Sequence, residues 1–187
     1  MKTIAILVAP GFEEIEFSAP LDILRRLEFD VTTVGVQDKQ VTGAHGLPVI
    51  TDTTLDQISP ADIDALILPG GNGSWVMRDT EAVLELVRQV NSSGKLVAAI
   101  CAAPIALARA GILEGKKVSA YPADMVYADL TMATIQPDRV TVDGNILTAN
   151  GPGSALAFGY ALAEYLGKGD LVPDLKKAMI YGCPSKD

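Results

Sequence analysis

Short runs of consecutive apolar residues recur along the chain, each closed by glycine, proline or polar turn residues, with helix-spaced apolar positions between them. Ile4 to Val8 reads as a first strand, Glu14 to Leu27 as a helix with Ile15, Leu21, Ile23 and Leu24 among its apolar positions, and Val31 to Val36 as a second strand. Pro20 falls inside that helix, so a kink or local break is expected. Gln40 to Thr51 carries Gly43, Gly46 and Pro48 between β-prone stretches and reads as a small hairpin appended to the main sheet. Ala65-Leu66-Ile67-Leu68 is another fully apolar strand, ending in Pro69-Gly70-Gly71-Asn72-Gly73, and a helix from about Thr80 to Val90 leads to the strand Leu96 to Ile100. A short strand near Val118, a stretch from Tyr121 to Thr134 with no clear period, and a hairpin of Val140-Thr141-Val142 and Ile146-Leu147-Thr148 across Asp143-Gly144 follow. Gly153 to Leu166 reads as a long helix, with a helical tail near Leu171 to Ala178.

Continuous apolar strands alternating with helices specify an α/β fold with a doubly wound, mainly parallel sheet sandwiched by helices, plus a small accessory hairpin. The 187 residues, 49% hydrophobic, are expected to fold as a single domain, 1–187. A formal net charge of -8 makes nucleic acid and anionic membranes poor partners. The first apolar run is too short to span a bilayer and lacks a cleavage pattern, so the expected location is cytoplasmic. In that reducing setting Cys101 and Cys183 are expected to be free thiols. One histidine, His45, and no paired cysteine or histidine spacing leave no zinc motif and no metal site.

The chemistry concentrates at Cys101, where Leu96-Val97-Ala98-Ala99-Ile100 stops and Ala102-Ala103-Pro104 opens a helix. A buried free cysteine is often inert core. This one stands at a strand-to-helix turn, on the carboxyl edge of the sheet where α/β folds bind ligands, and faces unpaired N–H groups that favour a thiolate. The Gly70 and Gly71 amides, on the neighbouring strand end, together with that of Ala102, are candidate oxyanion donors; alternatively the glycines only make a tight turn. Glu13, Glu14 and Glu16 begin the first helix. Glu13 and Glu14 are accounted for by the helix dipole, whereas Glu16, flanked by Ile15 and Phe17, is placed to reach the thiol. A carboxylate beside a thiolate raises both pKa values, so the consistent arrangement has Glu16 protonated and donating to S⁻. Asn150-Gly151-Pro152-Gly153 lacks the glycine at Leu156 that a dinucleotide motif needs, so Gly151 and Pro152 read as pocket lining or a helix cap. His45 reads as a surface residue. Trp75 reads either as a pocket wall or as local loop packing.

Gly11-Phe12-Glu13-Glu14-Ile15-Glu16, Leu68-Pro69-Gly70-Gly71-Asn72, Ala99-Ile100-Cys101-Ala102-Ala103-Pro104 and Gly151-Pro152-Gly153, in this order and across nearly the whole chain, resemble the DJ-1/ThiJ/PfpI superfamily, most closely its DJ-1 branch. The resemblance implies a flavodoxin-like sandwich that forms a homodimer and needs no cofactor. It implies Cys101 as the reactive cysteine, Glu16 as its protonated partner, Gly70, Gly71 and Ala102 as amide donors with Asn72, Gly151 and Pro152 around the pocket, and Arg26 as an anion-binding residue reaching the cysteine across the dimer. Two departures stand out. Ala102 occupies the place of the histidine of protease-like members, which argues against a peptidase. A pocket histidine of DJ-1 proteins, expected before Asp138-Arg139-Val140, is replaced, with Met132 in its position.

The resemblance then implies a glutathione-independent glyoxalase or deglycase acting on small 2-oxoaldehydes such as methylglyoxal. The alternative it implies is an oxidative-stress sensor or protective protein whose Cys101 is oxidised to a sulfinate. A thiamine-precursor role has no support in these residues.

Overall fold

The apolar runs become the interior of one seven-stranded sheet in the computed structural model, which describes residues 2–182; Cys183 lies outside the described residues. In chain order the elements are β1 (Thr3–Val8), α1 (Glu14–Arg26), β2 (Asp30–Gly35), β3 (Gln40–Thr42), β4 (Pro48–Ile50), β5 (Thr53–Thr54), β6 (Ala65–Leu68), α2 (Gly73–Asp79), α3 (Glu81–Ser92), β7 (Leu96–Ile100), α4 (Pro104–Arg109), β8 (Lys117–Val118), α5 (Asp124–Tyr127), β9 (Thr134–Ile135), β10 (Val140–Asp143), β11 (Ile146–Ala149), α6 (Ala155–Ala163) and α7 (Val172–Ala178). The sheet order is β10-β11-β7-β6-β1-β2-β5, parallel throughout except for the β10–β11 hairpin. β6 and β7 are buried along their whole length, as parallel strands covered on both faces must be.

Sheet order explains where a site forms. From β1 the chain moves to β2 on one side, and from β6 it moves to β7 on the other. Right-handed crossovers therefore send the intervening helices to opposite faces and open a crevice at the carboxyl ends of β1 and β6. α1 packs on α6, while α2, α3 and α4 pack on one another.

Several expectations are revised. α1 runs unbroken through Pro20. At this point α6 crosses closely over Gly159: a Cβ on Gly159 would lie 3.2 Å from Pro20 Cα and 2.6 Å from Ile23 Cδ1. The hairpin pairs only with itself, and backbone bonds join it to the loop after β1, with Gly11 N–H donating to Thr42 O (2.8 Å) and Ala44 N–H to Phe12 O (2.8 Å). α2 was not legible, since Gly73 and Ser74 are weak helix formers and the turn is held by packing on α4. The Tyr121–Thr134 stretch supplies α5 and the start of β9. The helix read from Gly153 starts with a 3-10 turn at Pro152–Ser154 and loses regular form within Glu164–Lys168, where Gly167 has φ +96°. Among the described residues no helix is long and apolar enough to cross a membrane.

The α1–α6 contact is expected to be intolerant of bulk. Gly159→Leu gains helix propensity but forces its Cβ against the Pro20 backbone, so overpacking should lower stability by about 1–3 kcal/mol. Thermal and denaturant unfolding of the variant and the wild-type protein checks this.

Candidate active site

Cys101 leaves β7 in a left-handed conformation, φ +66°, which a non-glycine residue adopts at a cost of about 1–3 kcal/mol when the surroundings enforce it. Two backbone bonds do so: Cys101 N–H donates to Ala149 O on β11 (2.9 Å), and Cys101 O accepts from Tyr121 N–H (2.8 Å). Ala103 N–H then closes on Ile100 O (3.0 Å) and Pro104 occupies the first turn of α4, where its missing N–H costs nothing. The thiol is thereby turned back toward the end of β6, and Cys101 is only 8% exposed.

Glu16 arrives from the other side. Glu13 caps α1, its Oε2 accepting the Glu16 N–H (2.7 Å), and Glu13 N–H donates to Gly70 O (3.0 Å), which ties the helix start to the β6 turn. Glu16 is completely buried; its Oε2 accepts the Gly70 N–H (2.9 Å), while Oε1 has no hydrogen-bond partner of sound geometry among the described residues. Gly70 is the point of closest crowding. A Cβ there would lie 2.5 Å from Glu16 Oε2, 2.6 Å from Cys101 Cβ and 2.9 Å from Ile100 O, so the carboxyl and the cysteine meet only over a residue without a side chain. Gly71, at φ +78°, bridges to Phe12 and turns its N–H toward the thiol.

Burial dominates the electrostatics. It pushes Glu16 up to about 7, against the Cys101 thiol and the Gly70 amide, which favour the carboxylate, and with Glu13, which disfavours it. Burial also pushes Cys101 up to about 12, with the Glu16 charge adding to the rise and the Gly71 and Ala102 amides opposing it. Each group resists ionising beside the other, so the pair loses its first proton at about 7 and above that pH holds one negative charge and one proton.

The sequence-derived site residues are therefore partly assembled. Cys101, Glu16, Gly70, Gly71 and Ala102 converge. Gly151 borders the same elbow through Tyr121, whose Cδ2 would lie 3.4 Å from a Cβ at Gly151; Pro152 follows it in the 3-10 turn. Asn72 is exposed at the start of α2, its Cβ packed against Gly11. Arg26 sits at the far end of α1, its Nε on Asp22 Oδ2 (2.6 Å), about 15 Å of helix from Glu16 in the same chain.

One placement corrects the sequence reading. Met132 is 61% exposed, and its carbonyl accepts the Gly115 N–H beyond the far end of α4; it does not stand at the cysteine. Tyr121 is the residue bonded at the elbow, its N–H donating to the Cys101 carbonyl and its ring lying beside Gly151, and its only signal in the sequence was its position just after β8. Trp75, read either as a pocket wall or as local packing, lies in the first turn of α2 beside Gln37 and Thr80.

His45, at the hairpin tip, is not isolated. Its N–H donates to Glu14 Oε1 (2.6 Å) and its Nδ1 lies 2.8 Å from Glu14 Oε2, a pairing that raises the imidazole pKa. Folding thus brings Glu13, Glu14 and His45 ligand atoms within 4.8 Å of one another, although no sequence spacing signalled a cluster. Their acceptors are already engaged: Glu13 on the Glu16 amide and Glu14 on His45.

The raised Glu16 pKa has a stability consequence. Because the folded state holds the proton more tightly than the unfolded chain, whose carboxyl ionises near 4.5, the protonated form stabilises the fold fully below that value, and this contribution is lost as pH rises toward about 7. Glu16→Gln should therefore gain stability relative to the wild-type protein as pH rises from 5 to 8, measured by denaturant unfolding at both; a difference independent of pH would overturn the assignment.

Comparison with known proteins agrees with this geometry. The DJ-1/PfpI family profile matches residues 2–165. The chain is 35% identical to the DJ-1beta protein of Drosophila melanogaster over 181 residues, 96% of this chain and 97% of that one. It is 34% identical to a protein of Pyrococcus horikoshii named a deglycase over 158 residues, 83% of this chain and 93% of that one. Among solved structures, a cysteine-to-alanine variant of a DJ-1 superfamily protein from Salmonella typhimurium superposes with a TM-score of 0.91 at 34% identity, covering 97% of this chain and 99% of that one. A buried carboxyl pressed on a strand-end cysteine, on this sheet and with these relatives, makes the chain a member of the DJ-1/PfpI family.

Proposed function

We propose that this protein is a cofactor-independent glyoxalase or deglycase-type enzyme acting on small 2-oxoaldehydes, with Cys101 as nucleophile and Glu16 as the group that moves the proton. The observation that carries the reading is the buried Glu16 carboxyl packed with Cys101 around Gly70, one proton between the two groups and amides aimed at the sulfur. The names of the Pyrococcus relatives support a deglycase-type role.

With methylglyoxal the steps balance without an external redox partner. Cys101 Sγ attacks the aldehyde carbon while Glu16 gives its proton to the aldehyde oxygen, forming a hemithioacetal. The Glu16 carboxylate removes the hydrogen of that carbon, and the electron pair moves onto the adjacent ketone as an enediolate. Glu16 returns its proton to the former ketone carbon, and the hydroxyl proton of the first carbon passes to the neighbouring oxygen, leaving a thioester. Water cleaves the thioester to lactate and the free thiol. One carbon is oxidised as its neighbour is reduced. The Gly71 and Ala102 amides stabilise the negative charge on sulfur before attack.

A second reading has one observation in its favour: a solved structure of Toxoplasma gondii DJ-1 in an oxidised form matches this chain at 30% identity with a TM-score of 0.89. In that reading Cys101 is a redox sensor whose sulfinate is held by protonated Glu16 and the same amides.

Lactate release from methylglyoxal without glutathione separates the two. Wild-type protein should turn over, and Cys101→Ser and Glu16→Ala should fall to background, a loss of at least about 10²-fold for a missing proton-transfer group. Background rates in the wild-type protein as well would discard the glyoxalase and leave the sensor.

The working unit is inferred to be a homodimer. Within its own chain Arg26 is about 15 Å of helix from Glu16, so its proposed anion-binding role requires a second copy, and Ile15, Leu47 and Ile50 are exposed on the α1 start and the hairpin bonded to it. Light scattering should give twice the 19.6 kDa chain mass. A monomer would remove Arg26 from the site.

A further inference from the structure

Between β5 and β6 the chain makes two single 3-10 turns, Leu55–Gln57 and Pro60–Asp62, where a doubly wound sheet ordinarily carries a full crossover helix. The space that helix would fill remains open beside α3. It forms a cleft of about 460 Å³, within the range of small-molecule sites, floored by Val36, Leu55, Ile58 and Leu86 and rimmed by Asp56 and Glu85. The substitute connection is pinned open rather than collapsed inward, because Lys95 Nζ donates to the carbonyls of Pro60 (2.9 Å) and Ala61 (3.0 Å).

Charge decides what the cleft accepts. Among the described residues no lysine or arginine lines it, and the Lys95 ammonium behind the connection is engaged by the Pro60 and Ala61 carbonyls. Glu85 accepts from Gln89 Nε2 (2.6 Å) and from Arg88 Nη1 (3.3 Å), which it shares with Glu81 (2.7 Å), so its charge is partly offset. Asp56 has only neutral donors, Thr54 Oγ1 (2.6 Å) and Gln57 Nε2 (2.8 Å), which hold its carboxyl below the usual range without cancelling its charge. An apolar floor with negative charge at its rim, least compensated at Asp56, matches a ligand with an apolar body and one positive end. Its eleven lining residues are fewer than the roughly 20–30 a side of a stable protein interface, which favours a small molecule over a docked helix.

We propose that this cleft is a binding site for a small organic monocation, an alkylammonium or arylalkylammonium, whose hydrocarbon body lies on Val36, Leu55, Ile58 and Leu86 and whose charge faces Asp56. The site is separate from Cys101. β2 and β7 stand three strand spacings apart, about 14 Å, and none of the lining residues belongs to the cysteine elbow.

The test is an amide ¹H–¹⁵N titration of the full-length protein with phenylbutylammonium, phenylbutanol and phenylbutyrate. Saturable shifts centred on Val36, Ala82 and Leu86 are expected with the ammonium, with affinity about tenfold above the alcohol and more above the carboxylate. Ala82→Phe, at an exposed lining position, should fill the cleft and abolish the shifts. Asp56→Asn should reduce ammonium affinity to that of the alcohol, leaving the alcohol unchanged. Shifts centred elsewhere, equal binding of the carboxylate, or unaltered ammonium binding in Ala82→Phe would each overturn the proposal. Because the three probes are compared on the wild-type protein, the result does not depend on any variant folding, and it is independent of methylglyoxal turnover.

Discussion

The active site depends on the absence of a side chain at Gly70. Three strand ends converge there: the loop after β1 through the Glu13 amide, the end of β6 through Gly70 itself, and the end of β7 through Ile100 and Cys101. A methyl group at that point would overlap the Glu16 carboxyl, the Cys101 Cβ and a backbone carbonyl together. Only the carboxyl sits at the end of a flexible side chain, and it is itself held by the Gly70 amide. The closeness of acid and thiol is thus set by backbone packing rather than by attraction between them.

That geometry forces an electrostatic choice. Among the described residues no lysine or arginine is hydrogen-bonded to Glu16 or Cys101, and burial disfavours charge on both. Hydrogen bonds from backbone amides are what remain, and they are divided: one for the carboxyl, two for the sulfur. A pair that carries one charge and one proton between two competing acceptors is poised for proton transfer, since moving the proton from one to the other changes no net charge in a poorly solvated site. The left-handed elbow at Cys101 belongs to the same economy. Its strain is borne by the β11 and Tyr121 backbone bonds, and it turns the thiol toward the carboxyl rather than along the strand.

Much of this was legible in the sequence, for physical reasons. Strands buried on both faces must be apolar without interruption, so Ile4 to Val8, Ala65 to Leu68 and Leu96 to Ile100 declared themselves, and the turns closing them marked the carboxyl edge where the chemistry sits. Glu16 stood out as a carboxylate between two apolar neighbours. What was not legible depended on contacts between distant segments. Pro20 reads locally as a break, yet α1 continues through it, and the glycine that lets α6 pack against that point, Gly159, lies well over a hundred residues later. Met132 seemed placed at the cysteine by order along the chain, but the path between β8 and β10 goes through α5, which carries it beyond the far end of α4 and leaves Tyr121 at the elbow. His45 looked solitary because its partner, Glu14, meets it only after the hairpin bonds to the loop following β1.

The accessory hairpin and the shortened β5–β6 connection are two outcomes of one departure from regular winding. Between β2 and β6 the chain spends its residues on a hairpin that reaches over the start of α1 instead of on a helix covering the sheet. The first choice places Thr42 and Ala44 against Gly11 and Phe12, bracing the loop from which Glu16 is hung. The second leaves Val36 and Leu86 with no helix between them and produces the cleft. Support for the Cys101–Glu16 pair and exposure of the neighbouring sheet face therefore come from the same stretch of chain, and lengthening the 3-10 turns into a helix would close one site without disturbing the anchor of the other.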